Sequence, residues 1–501
     1  MPIMHESAAV LKTSEDRESS RESGAAAIHA PDAVLCVDLD GTLIKSDSLY
    51  DALCLMLRRH PRELLRLPGV LLHGGKAALK AHVAAVAPLD AAHLPYNLAV
   101  VRYLEKQHQA GRTILLATGA DVTLAERVAA HLGLFSGVIA SDGSTNMIGG
   151  SKLARLRGLY PQFDYIGNAR ADLPLLTAAR QPFVANPTLG LRLSLRSPGR
   201  PVAQRLNDNR PLLPTLLKAI RLHQWAKNIL LFFPLLLSHQ INLHTVLPAI
   251  TAFFCFSFVA SANYLVNDLL DIENDRRHHR KRLRPFAAGD LPVPAGIALA
   301  LLLLAFSVAL LPLLPLPFAE WLLVYAVTTT AYSLYLKTIP LIDVLVLSGL
   351  YALRMMAGGA ATGTFISPWL TSLAVFLFLS LAMVKRFSEL STLREQGVTN
   401  SHGRGYMVAD LEQIRSFGTA SAYASVVVFS LYITRPDVED LYHHSGRLWF
   451  IVPLMLYWLH RVWLLASRGE LDEDPVIFAI RDSVSISIGV MIAILAVYAT
   501  F

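Results

Sequence analysis

Between Val246 and Val266 the chain is apolar for long enough to cross a bilayer. It then runs straight into NDLLDIENDRRHHRKRLRP (Asn267 to Pro285), with four acidic residues followed by six basic ones. Charges set where a membrane helix meets water are costly unless something binds there, so this junction constrains the fold more than any other stretch. With the helix continued, Asn267, Asp271 and Asp275 fall at i, i+4 and i+8 on one face, and Asp268 lies a residue round the turn. Clustered carboxylates repel unless a cation neutralises them, and hard oxygen donors on a wet site suit Mg²⁺. Such a cation holds a diphosphate in turn, leaving Arg276, Arg277, Arg280, Lys281, Arg282 and Arg284 to grip the remaining oxygens by charge-assisted hydrogen bonds. A positive-inside topology signal accounts for the basic residues alone, but it does not ask for three acids at helical spacing.

From about residue 216 long apolar runs alternate with short charged loops, whereas the sequence before about 210 is mixed, so the chain divides into a soluble and a membrane part. Nine spans are expected, centred near residues 232, 256, 302, 327, 349, 376, 425, 456 and 492. Lys and Arg gather in the loops after the even-numbered spans: Arg276 to Arg284, Lys337, Lys385 to Arg415, and Arg468 with Arg481. The loops after spans one, three and five hold none. That asymmetry places the N-terminal domain and the acidic loop together on the cytoplasmic face of a plasma membrane. A net charge of +7 fits an anionic bilayer surface and phosphorylated substrates, and no aromatic-basic face points to nucleic acid. Cys36, Cys54 and Cys255 are too scattered for a disulfide framework or a zinc site.

Residues 1–30 are polar, charged and Ala-rich without a secretory h-region and read as a disordered tail. In AVLCVDLDGTL, Ala33 to Val37 reads as a buried parallel strand that ends in Asp38, Asp40, Gly41 and Thr42, where α/β folds place their chemistry. A second buried strand ends at Thr118, Lys152 follows, and a third strand leads to Gly167, Asn168 and Asp172. The α/β domain is set at residues 31–190, with a helical insertion over about 46–108. The middle of that insertion is apolar, flanked by Arg66, Lys76 and Lys80, and either packs on its own core or rests on the bilayer surface. Five prolines and five arginines between Asn186 and Pro214 read as a basic linker over 191–214. Residues 215–501 form the membrane bundle.

These motifs carry two resemblances. DLDGT, Thr118, Lys152 and Asp172, in that order, resemble the haloacid-dehalogenase superfamily, with Rossmann-like α/β architecture and the insertion as its cap. The resemblance makes Asp38 the nucleophile and Asp40 the acid/base, sets Thr118 and Lys152 on the phosphoryl oxygens, and places Mg²⁺ on Asp38, Asp40 and Asp172. Gly167-Asn168 stands where that family often has Gly-Asp, leaving one carboxylate in the segment. Asn267, Asp268, Asp271 and Asp275 match the NDxxDxxxD motif of UbiA-type intramembrane prenyltransferases, which implies an all-α polytopic bundle with a lipid-open chamber and Mg²⁺ on Asp268, Asp271 and Asp275. The second UbiA region is similar at Tyr332, Lys337 and Asp343, with Arg354 further along, although Leu347 replaces its second acid. Lys281, Arg282, Arg284, Pro285, Ala287, Ala288 and Gly289, together with Lys385, Arg386 and Glu389, resemble the decaprenyl-phosphate phosphoribosyltransferase branch.

That likeness implies a Mg²⁺-dependent transferase joining a polyprenyl phosphate to phosphoribosyl diphosphate. Lys281, Arg282, Arg284, Tyr332, Lys337, Asp343, Arg354, Lys385 and Arg386 would bind substrate, and the fused phosphatase would remove the 5-phosphate. Two alternatives remain open from the sequence. One is an aromatic-acceptor prenyltransferase using a prenyl diphosphate, and the other is a non-enzymatic membrane scaffold or transporter that binds phosphorylated lipid.

Overall fold

The computed structural model describes residues 33–196, 202–238, 241–397, 404–471 and 474–500. The tail expected over 1–30 and Arg200 of the linker lie outside them. The chain falls into two units, one containing 1–43 and 97–207, the other 44–96 and 208–501.

The first unit is an α/β domain built on one parallel sheet. Its strands are β1 (Val34–Val37), β2 (Ile114–Asp121), β3 (Gly137–Ser141), β4 (Phe163–Gly167), β5 (Pro182–Ala185) and β6 (Gln204–Leu206), in the order β3-β2-β1-β4-β5-β6. All five pairings are parallel. Chain order reverses direction between β1 and β4, and in such sheets the crevice at the carboxyl ends of these strands is where ligands bind. VLCV of β1 is buried throughout, as a central strand covered on both faces must be. Cys36, Leu115, Phe163, Tyr165 and Val184 pack in its core. The sheet runs on through β6, inside the stretch read from sequence as linker. Pairing with β5 gives that short strand its backbone partners.

The second unit is a helical bundle. Among the described residues, seven helices are long and apolar enough to cross a membrane: Leu243–Leu270, Val293–Leu313, Ile342–Thr362, Pro368–Glu395, Val408–Ile433, Ser445–Ser467 and Ser483–Thr500. The nine spans expected from sequence are therefore corrected to seven. Near residue 232 the chain winds as a 3₁₀ helix over Leu222–Phe232 and only five α-helical residues, Phe233–Leu237, with Pro234 in the first turn. Near 327 the helix Leu316–Leu334 carries Glu320 and the Thr328-Thr329-Thr330 run, and it is too polar to qualify. Leu243–Leu270, with 28 residues, extends for about 42 Å against an apolar core of about 30 Å, so a helix this long has turns to spare outside the hydrocarbon.

The insertion belongs to this second unit over residues 44–96. It leaves and returns through an antiparallel bridge, Ile44 to Tyr96. Helix Ser48–Arg59 starts at Asp47, whose carboxylate accepts from the Leu49 and Tyr50 amides. Leu67–Val86 is bent at Gly75, where φ is 66°. Leu65 and Leu72 near the bend are each 83% exposed, so this apolar tip does not pack on a core of its own.

Close helix contact in the bundle depends on small residues. A Cβ on Gly358 would lie 2.1 Å from the Leu231 carbonyl oxygen, a backbone atom that cannot swing aside. Gly358→Ala is expected to destabilise the protein by about 1–3 kcal/mol. Gly349→Ala, in open space on the same helix, is expected to be neutral or to stabilise by about 0.5–1 kcal/mol. Thermal unfolding in detergent separates the two; equal melting temperatures would contradict the packing.

Candidate functional site

In the α/β unit, Asp38 follows β1 directly and Asp172 lies beyond β4, so both come to the carboxyl edge of the sheet. Lys152 Nζ donates to Asp38 Oδ1 at 2.7 Å and to the Tyr165 hydroxyl at 3.0 Å, and it lies 3.8 Å from Asp172 Oδ1. The Tyr165 hydroxyl donates to Asp172 Oδ1 at 3.0 Å, while Asp172 Oδ2 accepts from the Asn168 and Ala169 amides. Thr118 is fully buried and its Oγ accepts from the Ala120 amide at 3.0 Å. Burial pushes the Lys152 ammonium down, but Asp38 and Asp172, with a smaller push from Asp40, raise it above its usual value. Gly41, at φ 70°, leaves space that the Asn168 side chain fills; a Cβ there would meet Asn168 at 2.0 Å. Burial pushes the Asp38 carboxyl up, Lys152 pulls it back and Asp172 pushes it further, leaving it at about 6. Tyr165, which ties Lys152 to Asp172, went unnoticed in the sequence because it reads there only as an apolar strand residue.

At the water end of Leu243–Leu270 the helix does not continue unbroken. Asp271 takes φ −96° and ψ 4°, and a separate short helix, Ile272–Arg277, begins after it. Asn267, Asp271 and Asp275 therefore do not share the one continuous helical face expected of them. Asp268 and Asp275, each 3% exposed, are joined by Arg284, whose Nη1 lies 3.1 Å from Asp268 Oδ1 and 2.7 Å from Asp275 Oδ2. Arg221, at φ 53° in the turn before Leu222–Phe232, also pairs with Asp268. Asp271 instead meets Arg58 of the insertion, and Lys337 at 3.5 Å. Burial, then repulsion from Arg58 and Arg284, pushes the Lys337 ammonium down to about 8 despite Asp275. Lys281 and Arg282 are exposed on the same loop.

Three further clusters hold the remaining predicted residues. Asp343, wholly buried, accepts from the Tyr332 hydroxyl at 2.7 Å, and Arg386 Nε lies 2.7 Å from its other oxygen as a charge contact without hydrogen-bond alignment. Arg386 also pairs with Glu389, so both residues are spoken for inside the bundle. Lys385 and Lys227 converge on Asp474 Oδ2 at 2.9 and 2.7 Å. Burial raises the Asp474 carboxyl, but the two ammonium groups overcome it and hold it well below the usual range. Arg354 Nε donates to Asn228 Oδ1 at 2.9 Å, and its guanidinium lies 5.0 and 5.3 Å from the Tyr325 and Tyr351 ring centres. Asp474, Lys227 and Arg221 carried no motif signal; Asp474 lies 247 positions from Lys227 and 89 from Lys385, and Arg221 lies 47 from Asp268.

Among the described residues no three His, Cys, Asp or Glu side chains converge as they stand to hold a metal ion. In both places a basic nitrogen stands between two carboxylates instead: Lys152 between Asp38 and Asp172, Arg284 between Asp268 and Asp275. Hard oxygen donors gathered around one positive centre fit a divalent cation once the basic side chain moves aside.

Residues 229–481 match the model of the UbiA prenyltransferase family, and residues 35–177 that of haloacid dehalogenase-like hydrolases. An uncharacterised protein of Sinorhizobium fredii is 38% identical over 464 residues, which cover 92% of this chain and 89% of that protein. The decaprenyl-phosphate phosphoribosyltransferase of Mycobacterium tuberculosis is 32% identical over 284 residues, 54% of this chain and 90% of that protein. A UbiA homologue from Archaeoglobus fulgidus, solved with GPP and Mg²⁺, is 17% identical with a TM-score of 0.43, covering 57% of this chain and 98% of its own.

A carboxyl raised from about 4 to about 6, as at Asp38, favours the folded state at low pH, and that contribution is lost as pH rises through about 6. Divalent cations need the ionised form. The rise in melting temperature on adding Mg²⁺ should therefore be larger at about pH 7 than at about pH 5, and Asp38→Asn should remove part of that difference. An Mg²⁺ effect equal at both pH values would contradict the arrangement.

Proposed function

We propose, from the premise that this chain belongs to the UbiA prenyltransferase family and carries a haloacid dehalogenase-like hydrolase domain, that it makes a lipid-linked phosphoribose and then dephosphorylates it. The observation that carries the transferase reading is the sharing of Arg284 between Asp268 and Asp275, which reserves a cation position at the water end of a spanning helix. The phosphoribosyl donor is supported by the relative named for that activity and by the Lys281-to-Gly289 motif.

Asp268, Asp271 and Asp275 would hold Mg²⁺ together with the diphosphate of a phosphoribosyl donor. When bound, the cation draws off the charge that develops on the departing diphosphate. Arg284 and Arg221, released from the carboxylates, turn to the phosphate oxygens, with Lys281 and Arg282 at the rim. An oxygen of the polyprenyl phosphate forms a bond to C1 of the ribose as the bond from C1 to the diphosphate breaks. This acceptor is already an anion and needs positioning rather than a strong base, which Lys385 and Lys227 supply. Arg354 lines the same bundle. Arg386 acts at one remove, fixing Asp343 and Tyr332.

In the hydrolase domain Asp38 attacks the 5-phosphate and Asp40 protonates the departing ribose oxygen. Asp40 then deprotonates the water that cleaves the aspartyl-phosphate. Lys152 and Thr118 hold the phosphoryl oxygens, and Asp172 with Asp38 and Asp40 would hold Mg²⁺. The chain is an integral membrane protein by its helices and family. The loop charges favour the hydrolase domain on the cytoplasmic side of a bacterial plasma membrane.

Incubating purified protein with ribose-labelled phosphoribosyl diphosphate, polyprenyl phosphate and Mg²⁺ should move the label into lipid, with inorganic phosphate released. Replacing Asp268 and Asp275 together with Asn should cut transfer by about a thousandfold or more. Asp38→Asn should leave transfer intact but yield a lipid heavier by one phosphate. Label entering lipid only from a prenyl diphosphate would overturn the donor assignment, and an unchanged product from Asp38→Asn would overturn the coupled dephosphorylation.

A further inference from the structure

Residues 44–96 interrupt the hydrolase domain in sequence, yet their polar side chains pair with the loop that follows Leu243–Leu270. Arg276 Nη2 donates to Asp51 Oδ2 at 2.7 Å and contacts Ser46 Oγ at 3.1 Å, with both charged side chains at most 4% exposed. Arg59 meets Glu273 at 3.1 Å, and Lys45 pairs with Asp290 next to Gly289. Gly289 has φ 69°, and a Cβ there would fall 2.7 Å from that of Lys45. A buried ion pair flanked by such contacts holds the helix Ser48–Arg59 in one place. Its last turn then delivers Arg58 to Asp271, with the guanidinium also donating to the Leu270 carbonyl at 3.3 Å.

Asp268, Asp271 and Asp275 already face four cations: Arg58, Arg221, Arg284 and Lys337. A divalent cation on the three acids strands all four, and positive groups so displaced need an anion of several charges beside them. We infer that Arg58 is a diphosphate-binding residue of the transferase site, supplied by the insertion in the hydrolase domain: it rests on Asp271 and transfers to the diphosphate oxygens when the metal–diphosphate complex enters. This deepens the transferase reading and rests on it only in requiring a diphosphate at this site. The other role available to Arg58 is to cap the Leu270 carbonyl, which would affect stability but not anion affinity.

Inorganic pyrophosphate with Mg²⁺, titrated calorimetrically into the full-length protein in detergent, tests the inference without assuming what is transferred. Arg58→Ala should weaken pyrophosphate binding tenfold or more, with Arg58→Lys recovering part of the loss. Asp90→Ala removes a peripheral contact between the insertion and Arg277, 3.2 Å long, and should leave the affinity within about twofold of the parent. Melting temperatures of all three variants confirm that they are folded. Pyrophosphate affinity unchanged in Arg58→Ala would overturn the inference, as would an equal loss in Asp90→Ala or no pyrophosphate binding by the parent protein. Failure of the ribose-labelling assay with these binding results intact would overturn the donor assignment and leave Arg58 in place.

Discussion

A carboxylate buried at the end of an apolar helix has to be neutralised, and the membrane unit is arranged around that demand. Asp268 and Asp275 are almost inaccessible, and an unpaired charge in such a place costs several kcal/mol. Arg284 satisfies both from the loop that follows, and Arg221 reaches Asp268 from a left-handed turn that a non-glycine residue rarely adopts. Left-handed backbone is tolerated where the surroundings hold it, and here the ion pair does so. A wholly apolar replacement of this cluster would pack as well or better. Buried charges at the mouth of a spanning helix therefore fit the proposed anion and its metal better than a role in stability alone.

The hydrolase unit solves the same electrostatic problem with different residues. Lys152 lies between Asp38 and Asp172, and Tyr165 links the amine to the second acid. In both sites a basic group keeps two carboxylates close together; on the proposed reading, a metal–phosphate complex would exchange partners there and would not have to assemble a site from repelling charges. The two differ in where the basic groups come from. Lys152, Asp38 and Asp172 all belong to the α/β unit, whereas Asp271 is met by an arginine from a segment that sequence order assigns to the other half of the protein.

Much of this could be read from local sequence because local spacing carried it. Asp38 after a buried VLCV strand, and three acids beyond an apolar run, are patterns within a dozen residues of one another. Four things could not be read in that way. The break at Asp271 depends on backbone angles that the acid spacing does not encode. Asp474, Lys227 and Arg221 find partners across the bundle, and nothing in their immediate neighbours distinguishes them from surface charges. The span expected near 232 failed because a run of apolar residues fixes burial but not winding, and Pro234 follows a 3₁₀ stretch with too few residues left to cross. The insertion expected over about 46–108 resembles a cap because helices inserted after a first strand often are, and its distant partners leave no local signal. Its ion pairs with Arg276 and Asp271 lie more than 200 positions away.

The most direct test is anomalous scattering from Mn²⁺ in crystals grown with a non-hydrolysable diphosphate. The expected result is a manganese peak between Asp268 and Asp275, with Arg284 turned away from both and onto phosphate oxygens. A map in which Arg284 still bridges the two carboxylates while the diphosphate is bound, with manganese absent from that position, would contradict the central claim.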